Sequence, residues 1–261
     1  MLLLIFCVLN SFVMMSRFMN RHSDLSFWWG LPIWLGYFVG ISLLFIILAI
    51  VIILLLPKRD PSPRRRDGCH HLVSQILSFV LLILGYRVHT EGLSCLPRRS
   101  YLLVCNHRSA FDPLCIIGAF PDSALAFVSK PSVFKIPVIG NVMRRLGFLP
   151  IDRENARNAV TTIKRAAELI RDVGLSMGIY PEGTRSKNGS LLPFHAGSFK
   201  IAKLADCPIV VATIRYEKAF LWFKRVHLHV VDVMSEEVVK ENNTAALAER
   251  AEQAIRNDLN M

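Results

Sequence analysis

The sequence predicts an α/β domain, a mixed sheet flanked by helices, placed behind N-terminal membrane helices. Three observations predict it. A strongly apolar stretch, uncharged from Leu25 through Pro57, lies near the start of the chain. A basic, proline-containing segment follows it. From Gly85 onward, short apolar runs of strand length alternate with longer runs of helical period.

No charged residue occurs from Leu25 through Pro57, and Leu43 to Leu56 is almost pure Leu, Ile, Val and Phe. Its large aliphatic and Phe residues favour insertion into a bilayer by roughly 4–7 kcal/mol. Trp28, Trp29 and Trp34 stand near its start, where aromatic residues sit at a membrane interface. An earlier apolar stretch, Leu2 to Met15, lacks the basic start and small-residue cleavage site of a signal peptide. It reads as an interfacial helix, a short span or an upstream extension, with Arg17, Arg21, His22 and Asp24 interrupting it. Residues 1–57 are thus the expected membrane segments.

The net charge is +11, and Lys58, Arg59, Arg64, Arg65 and Arg66 contribute much of it just past the apolar run. Cations at a membrane exit mark the cytoplasmic side and suit anionic head groups. No nucleic-acid motif accompanies the charge, so membrane lipids rather than nucleic acid are the expected partners. Pro57 and Pro61-Ser62-Pro63 lead into a stiff linker over 58–71. The six cysteines show no C-x-x-C spacing, as in a reduced compartment. Cys69-His70-His71 has no distant partners that would complete a tetrahedral metal site.

The expected catalytic domain covers 72–261. Leu72–Leu84 is too short to span and carries Ser74, Gln75 and Ser78 on one side, as a helix lying in the interface or capping the domain would. Tyr101–Cys105 reads as a buried strand and Pro113–Phe120 as a helix, with Asp112 as N-cap and Pro113 first. Strands follow at Ala126–Ser129, Phe148–Ile151, Leu175–Tyr180, Ile209–Tyr216 and His227–Val233. Helices follow at Asn155–Val173, Gly197–Ala205 and Thr244–Leu259. Ala219–Arg225 puts apolar rings beside basic stems and reads either as a membrane contact or as a buried strand or loop.

Two clusters carry candidate chemistry. Asn106-His107-Arg108-Ser109-Ala110-Phe111-Asp112 lies between a predicted strand and a helix. Residues five apart on a continuous helix point about 140° away from each other, so His107 and Asp112 pair only across a loop. Paired, the carboxylate holds one ring nitrogen protonated and leaves the other to accept a proton. The plain alternative is a cap and a loop residue. No G-x-S-x-G elbow makes Ser109 a nucleophile. The second cluster, Tyr180-Pro181-Glu182-Gly183-Thr184-Arg185-Ser186, also follows a predicted strand. Arg185 offers a planar fork for phosphate and Thr184 and Ser186 offer hydroxyls; the alternative is a polar turn.

Asn-His-x4-Asp followed by Pro-Glu-Gly-Thr-Arg-Ser strongly resembles the glycerolipid acyltransferase superfamily, and within it the 1-acyl-sn-glycerol-3-phosphate (lysophosphatidic acid) acyltransferase family. Lys130-Pro131…Phe134…Pro137…Gly140 and Gly147…Ile151-Asp152-Arg153 are weaker matches between the two clusters. The likeness runs from about Gly85 to Tyr216. A fourth family block of the form Pro-Ile-Val-Pro-Val reads Pro208-Ile209-Val210-Val211-Ala212 here, a departure that bears on substrate preference.

The resemblance implies transfer of a fatty acyl group from acyl-CoA or acyl carrier protein to the sn-2 hydroxyl of lysophosphatidic acid, giving phosphatidic acid. It implies His107 as general base, oriented by Asp112. Glu182, Gly183, Thr184 and Arg185 would bind the glycerol phosphate, with Lys130 and Arg153 adding positive charge and Asn106 completing the substrate-binding set. No metal or prosthetic group is required. Another acceptor (glycerol 3-phosphate or a lyso-aminolipid) and a non-catalytic lipid-binding protein are the alternatives.

Overall fold

The computed structural model describes residues 2–22, 25–55, 63–120, 124–152, 156–186, 190–219 and 223–259. The chain divides into two compact units, Met1–Pro57 and Lys58–Met261.

In the first unit, helix α1 (Leu2–Arg21) packs against helix α2 (Gly30–Leu55). The α1 helix runs through Arg17 rather than stopping at Met15, since an arginine is a good helix former and can hold its charge outward. Cys7, Ser11 and Ser42 are buried in this unit. Ser11 and Ser42 donate to the carbonyls of Val8 and Phe38 in their own helices, so neither hydroxyl is left unsatisfied. Phe18 meets Tyr37 edge-on, 6.4 Å between ring centres. Among the described residues, Gly30–Leu48 is the one segment long and apolar enough to cross a membrane.

The second unit opens with helix α3 (Pro63–Ile83). It starts nine residues before the expected Leu72 and takes in most of the expected linker. Pro63 takes the first position and three arginines, good helix formers, follow. The serine side of α3 meets the next helix, with Ser74 buried and Ser78 still exposed. Ser74 and Ser78 donate to the carbonyl of Gly118 in helix α4 (Asp112–Ala119). Val73, Ile76, Phe79 and Leu81 are buried.

The sheet has seven strands: β1 (Tyr86–Glu91), β2 (Leu102–Cys105), β3 (Leu125–Ser129), β4 (Leu149–Pro150), β5 (Ser176–Ile179), β6 (Ile209–Lys218) and β7 (Lys224–Met234). Their order is β1-β7-β6-β2-β5-β3-β4. Strands β6, β2, β5, β3 and β4 are mutually parallel; β7 runs antiparallel to β6 and parallel to β1. Mixed pairing is therefore confined to one end. The central strands β2 and β5 are buried throughout, as are residues 209–214 of β6, which explains their continuous apolar runs. The unpredicted β1 has mostly exposed side chains, so no apolar signal announces it. A register shift in β6 falls between Val211 and Ala212, inside the block that departs from the family pattern.

Helix α5 (Ile139–Arg145) lies between β3 and β4, and helix α6 (Ala156–Val173) between β4 and β5. Ala166, Ala167, Leu169 and Ile170 form the buried stripe of α6. The expected helix over Gly197–Ala205 is a 3-10 turn at Ala196–Phe199 that continues into α7 (Lys200–Ala205). Helices α8 (Glu236–Glu241) and α9 (Thr244–Asp258) close the chain, each capped by the preceding serine or asparagine side chain. Tips 220–222 of the expected Ala219–Arg225 contact lie outside the described residues.

Candidate active site

Five neighbouring parallel strands end on one edge of the sheet, and the loops that leave them carry nearly every candidate residue. His107 follows β2, Lys130 follows β3, and Tyr180 to Arg185 follow β5. Ligands gather at such carboxyl ends because helix starts and loop N–H groups converge there.

Asp112 is the first residue of α4, and Phe111, not Asp112, occupies the cap position. Its carboxylate turns back onto the preceding loop. Oδ2 accepts the backbone N–H groups of Arg108 (2.7 Å) and Ser109 (2.8 Å), and lies 2.8 Å from Nδ1 of His107. Oδ1 accepts the Tyr216 hydroxyl at 2.5 Å. Asp112 is fully buried, 0% exposed, while the His107 side chain is 19% exposed. A carboxylate ringed by donors has only acceptors to offer, so Nδ1 of His107 carries the hydrogen and Nε2 keeps its lone pair. Burial beside Asp112 pushes the Tyr216 hydroxyl far above its ordinary pKa, so it remains a donor.

The imidazole is held from its face as well. The ring of Tyr180 stacks on it at 4.1 Å and 12°, and Phe127 of β3 stacks on Tyr180 at 5.4 Å and 16°. On the far side, Tyr86 stacks on Phe111 at 5.3 Å and meets Tyr216 edge-on at 6.4 Å.

Glu182 and Asn106 are built into the scaffold rather than turned to a ligand. Glu182 is 4% exposed; Oε1 accepts the N–H of His107 (2.6 Å) and Oε2 that of Leu192 (3.0 Å). Burial raises its pKa despite those two bonds. A carboxylate is moreover a poor companion for an anionic phosphate, so we assign Glu182 to clasping the loops together. Asn106 is buried and both its amide atoms bond Ile214: Nδ2 donates to the Ile214 carbonyl (3.1 Å) and Oδ1 accepts its N–H (2.8 Å), with the Cys105 thiol also on Oδ1 at 3.6 Å. This ties the end of β2 to β6.

Gly183 takes φ +77°, which a side chain would resist, and its N–H donates to the Tyr180 carbonyl at 3.1 Å. Thr184 and Arg185 past that turn are exposed, as is Lys130 after β3. The Ser186 N–H donates to the His107 carbonyl at 3.2 Å, so the two loops are tied twice. Arg153 lies outside the described residues. Tyr216 and Tyr86 escaped the sequence reading. Their only signal is an aromatic at each end of the region of likeness, and neither lies near His107 in sequence.

A family model described as acyltransferase matches residues 87–215. That match spans just under half of the chain. The chain is 34% identical over 172 residues to the chloroplastic 1-acyl-sn-glycerol-3-phosphate acyltransferase BAT2 of Brassica napus, covering 64% of this chain and 49% of that protein. It is 28% identical over 183 residues to the 1-acyl-sn-glycerol-3-phosphate acyltransferase of Borreliella burgdorferi, covering 65% of this chain and 72% of that one. The chain spans about half the length of the plant relatives it matches. The crystal structure of the 1-acyl-sn-glycerophosphate acyltransferase PlsC from Thermotoga maritima shares the fold of this chain, with TM-score 0.64 at 20% identity, covering 95% of this chain and 93% of that one.

Proposed function

We propose that the chain transfers a fatty acyl group from a thioester donor, acyl-CoA or acyl carrier protein, to the sn-2 hydroxyl of lysophosphatidic acid, forming phosphatidic acid. The observation that carries this reading is the His107–Asp112 pair. Its tautomer is fixed by a buried, four-fold hydrogen-bonded carboxylate, and its free nitrogen stands at a sheet edge where Lys130, Thr184 and Arg185 are exposed. The names of the relatives supply the acceptor.

In this mechanism Nε2 of His107 takes the proton of the acceptor hydroxyl as its oxygen attacks the thioester carbonyl. The carbon–sulfur bond then breaks, and the departing thiolate takes the proton back from the imidazolium. Asp112 holds the ring and offsets its transient charge. Arg185, with Thr184, binds the acceptor phosphate, and Lys130 adds positive charge near the phosphate or the developing oxyanion. The α2 helix holds the domain to the bilayer, with the catalytic unit on the cytoplasmic side.

Purified protein in detergent, given several acceptors and followed by thioester release, tests the reading. Release with lysophosphatidic acid but not with glycerol 3-phosphate is expected, and no release with lysophosphatidic acid would sink it. Arg185→Ala should raise the acceptor KM with a smaller change in kcat, because the lost charge acts on bound phosphate; steady-state kinetics over acceptor concentration reads this. Tyr216→Phe leaves one oxygen of a buried carboxylate without its donor. Stability should fall by about 1–3 kcal/mol, read by chemical denaturation, with kcat falling and KM held.

A further inference from the structure

Five consecutive residues, Lys135-Ile136-Pro137-Val138-Ile139, are exposed just after β3. Ile136, Val138 and Ile139 are 46%, 41% and 49% exposed, an unusual cluster of aliphatics on an acyltransferase domain whose other loops near the site are polar. The backbone fixes them outward. Val138 sits at φ +64° and ψ −59°, and the Ile139 N–H donates to the Pro137 carbonyl at 2.7 Å. This is a γ-turn of the positive-φ kind, rare and strained, and most unfavourable for a β-branched residue.

The turn is clamped from both sides. The Ile136 N–H donates to Val133, the Gly140 N–H to Ile136 and the Val142 N–H to Val138. Gly140 lies so close to Phe134 that a Cβ would stand 2.1 Å from the Phe134 carbonyl oxygen. Arg144 donates to that same carbonyl at 3.0 Å and covers the Phe134 ring at 5.6 Å. The aliphatic tip is therefore presented rigidly and cannot fold back onto the domain.

Charge says what covers it. Between Asp122 and Asp152 the chain carries Lys130, Lys135, Arg144 and Arg145 and no carboxylate at all. Of these, Lys130, Lys135 and Arg144 are exposed, and an apolar tip flanked in the chain by exposed cations suits an anionic lipid surface, where the tip enters the acyl region and the cations meet head groups. An acidic carrier protein would use the cations but would gain little from a protruding aliphatic tip.

We propose that the Ile136–Ile139 turn inserts into an anionic bilayer surface and seats the edge of the sheet that carries His107 at head-group level. The proposal rests on the acyl-transfer reading above only for its consequence, which is delivery of membrane-dissolved substrates.

The full chain is reconstituted in vesicles of phosphatidylcholine mixed with phosphatidylglycerol. Ile139→Trp is compared with the parent for quenching by a brominated phosphatidylcholine, a readout independent of activity. Additional quenching is expected, and none would overturn the proposal even if the enzyme reading had failed. Ile136→Ser combined with Ile139→Ser is then assayed with two substrate pairs: long-chain lysophosphatidic acid and acyl-CoA in the bilayer, and short-chain counterparts dissolved in water. The double variant should lose roughly tenfold or more on the bilayer pair and stay within about twofold on the soluble pair. Lys135→Glu should lose rate in the mixed vesicles and recover in pure phosphatidylcholine. Equal loss on both pairs overturns the proposal, as does a loss seen only when acyl carrier protein is the donor, which would make the turn a carrier-docking site.

Discussion

Under the proposed role, replacing His107 by alanine should lower kcat by about 10²–10⁴-fold, the range that general-base catalysis contributes, and leave the fold intact. The side chain is 19% exposed and, among the described residues, its ring hydrogen-bonds Asp112, so the scaffold loses little with it. Thioester release in the presence of acceptor, with an unfolding curve alongside, checks this; a near-normal rate would remove His107 from the role assigned. Asp112→Asn makes the prediction sharper. The N–H groups of Arg108 and Ser109 both point at Oδ2, so they pin the carbonyl oxygen of an introduced asparagine at that position. The new amide nitrogen then faces Tyr216, whose hydroxyl can reverse and accept. Nδ1 of His107 keeps an acceptor and the tautomer is preserved. Only the negative charge is lost, so Asp112→Asn should retain clearly more activity than His107→Ala. Asp112→Ala, which removes the acceptor altogether, should fall close to the histidine variant.

Gly178→Ala is expected to cost about 1–3 kcal/mol of stability through overpacking and to lower kcat as well, although residue 178 touches no substrate. Phe127 is the register partner of Gly178 across the β3–β5 pair. A Cβ at 178 would stand 2.3 Å from the Phe127 ring, which is fully buried and has no free space to enter. The displaced ring bears on Tyr180, and Tyr180 bears on the face of His107. Strain therefore reaches the imidazole through two stacked contacts. A paired Phe127→Leu substitution relieves the clash and should restore part of the stability. Denaturation midpoints and kcat for the single and double variants measure both effects; an unchanged kcat in a destabilised Gly178→Ala protein would show that the stack does not position His107.

The strand–loop–helix around His107 was legible because its signals are local: an apolar run, a break and a Pro at a helix start. The expected Asp112 cap was one position off, since Asp112 spends its carboxylate backward on the loop instead of on its own helix. The elements that eluded the sequence are those defined by distant contacts. Strand β1 is mostly exposed and has no apolar rhythm of its own. Tyr216 bonds a residue 104 positions earlier, a separation at which no spacing rule operates. Glu182 and Asn106 were read as ligands because polar residues beside a catalytic pair look alike in sequence. Only coordinates reveal that both side chains bond the backbone, Glu182 that of His107 and Leu192 and Asn106 that of Ile214.

If His107 and Arg185 act as proposed, the double tie between their loops couples recognition to reactivity mechanically. Glu182 grips the backbone of the base, while Ser186, next to Arg185, grips the same residue from its carbonyl side. Under the proposed roles, an acceptor whose phosphate draws Arg185 inward also tightens the seat of the imidazole. An alcohol lacking that phosphate would then be penalised in turnover even at saturation, and discrimination would be exercised at the transition state rather than at the door.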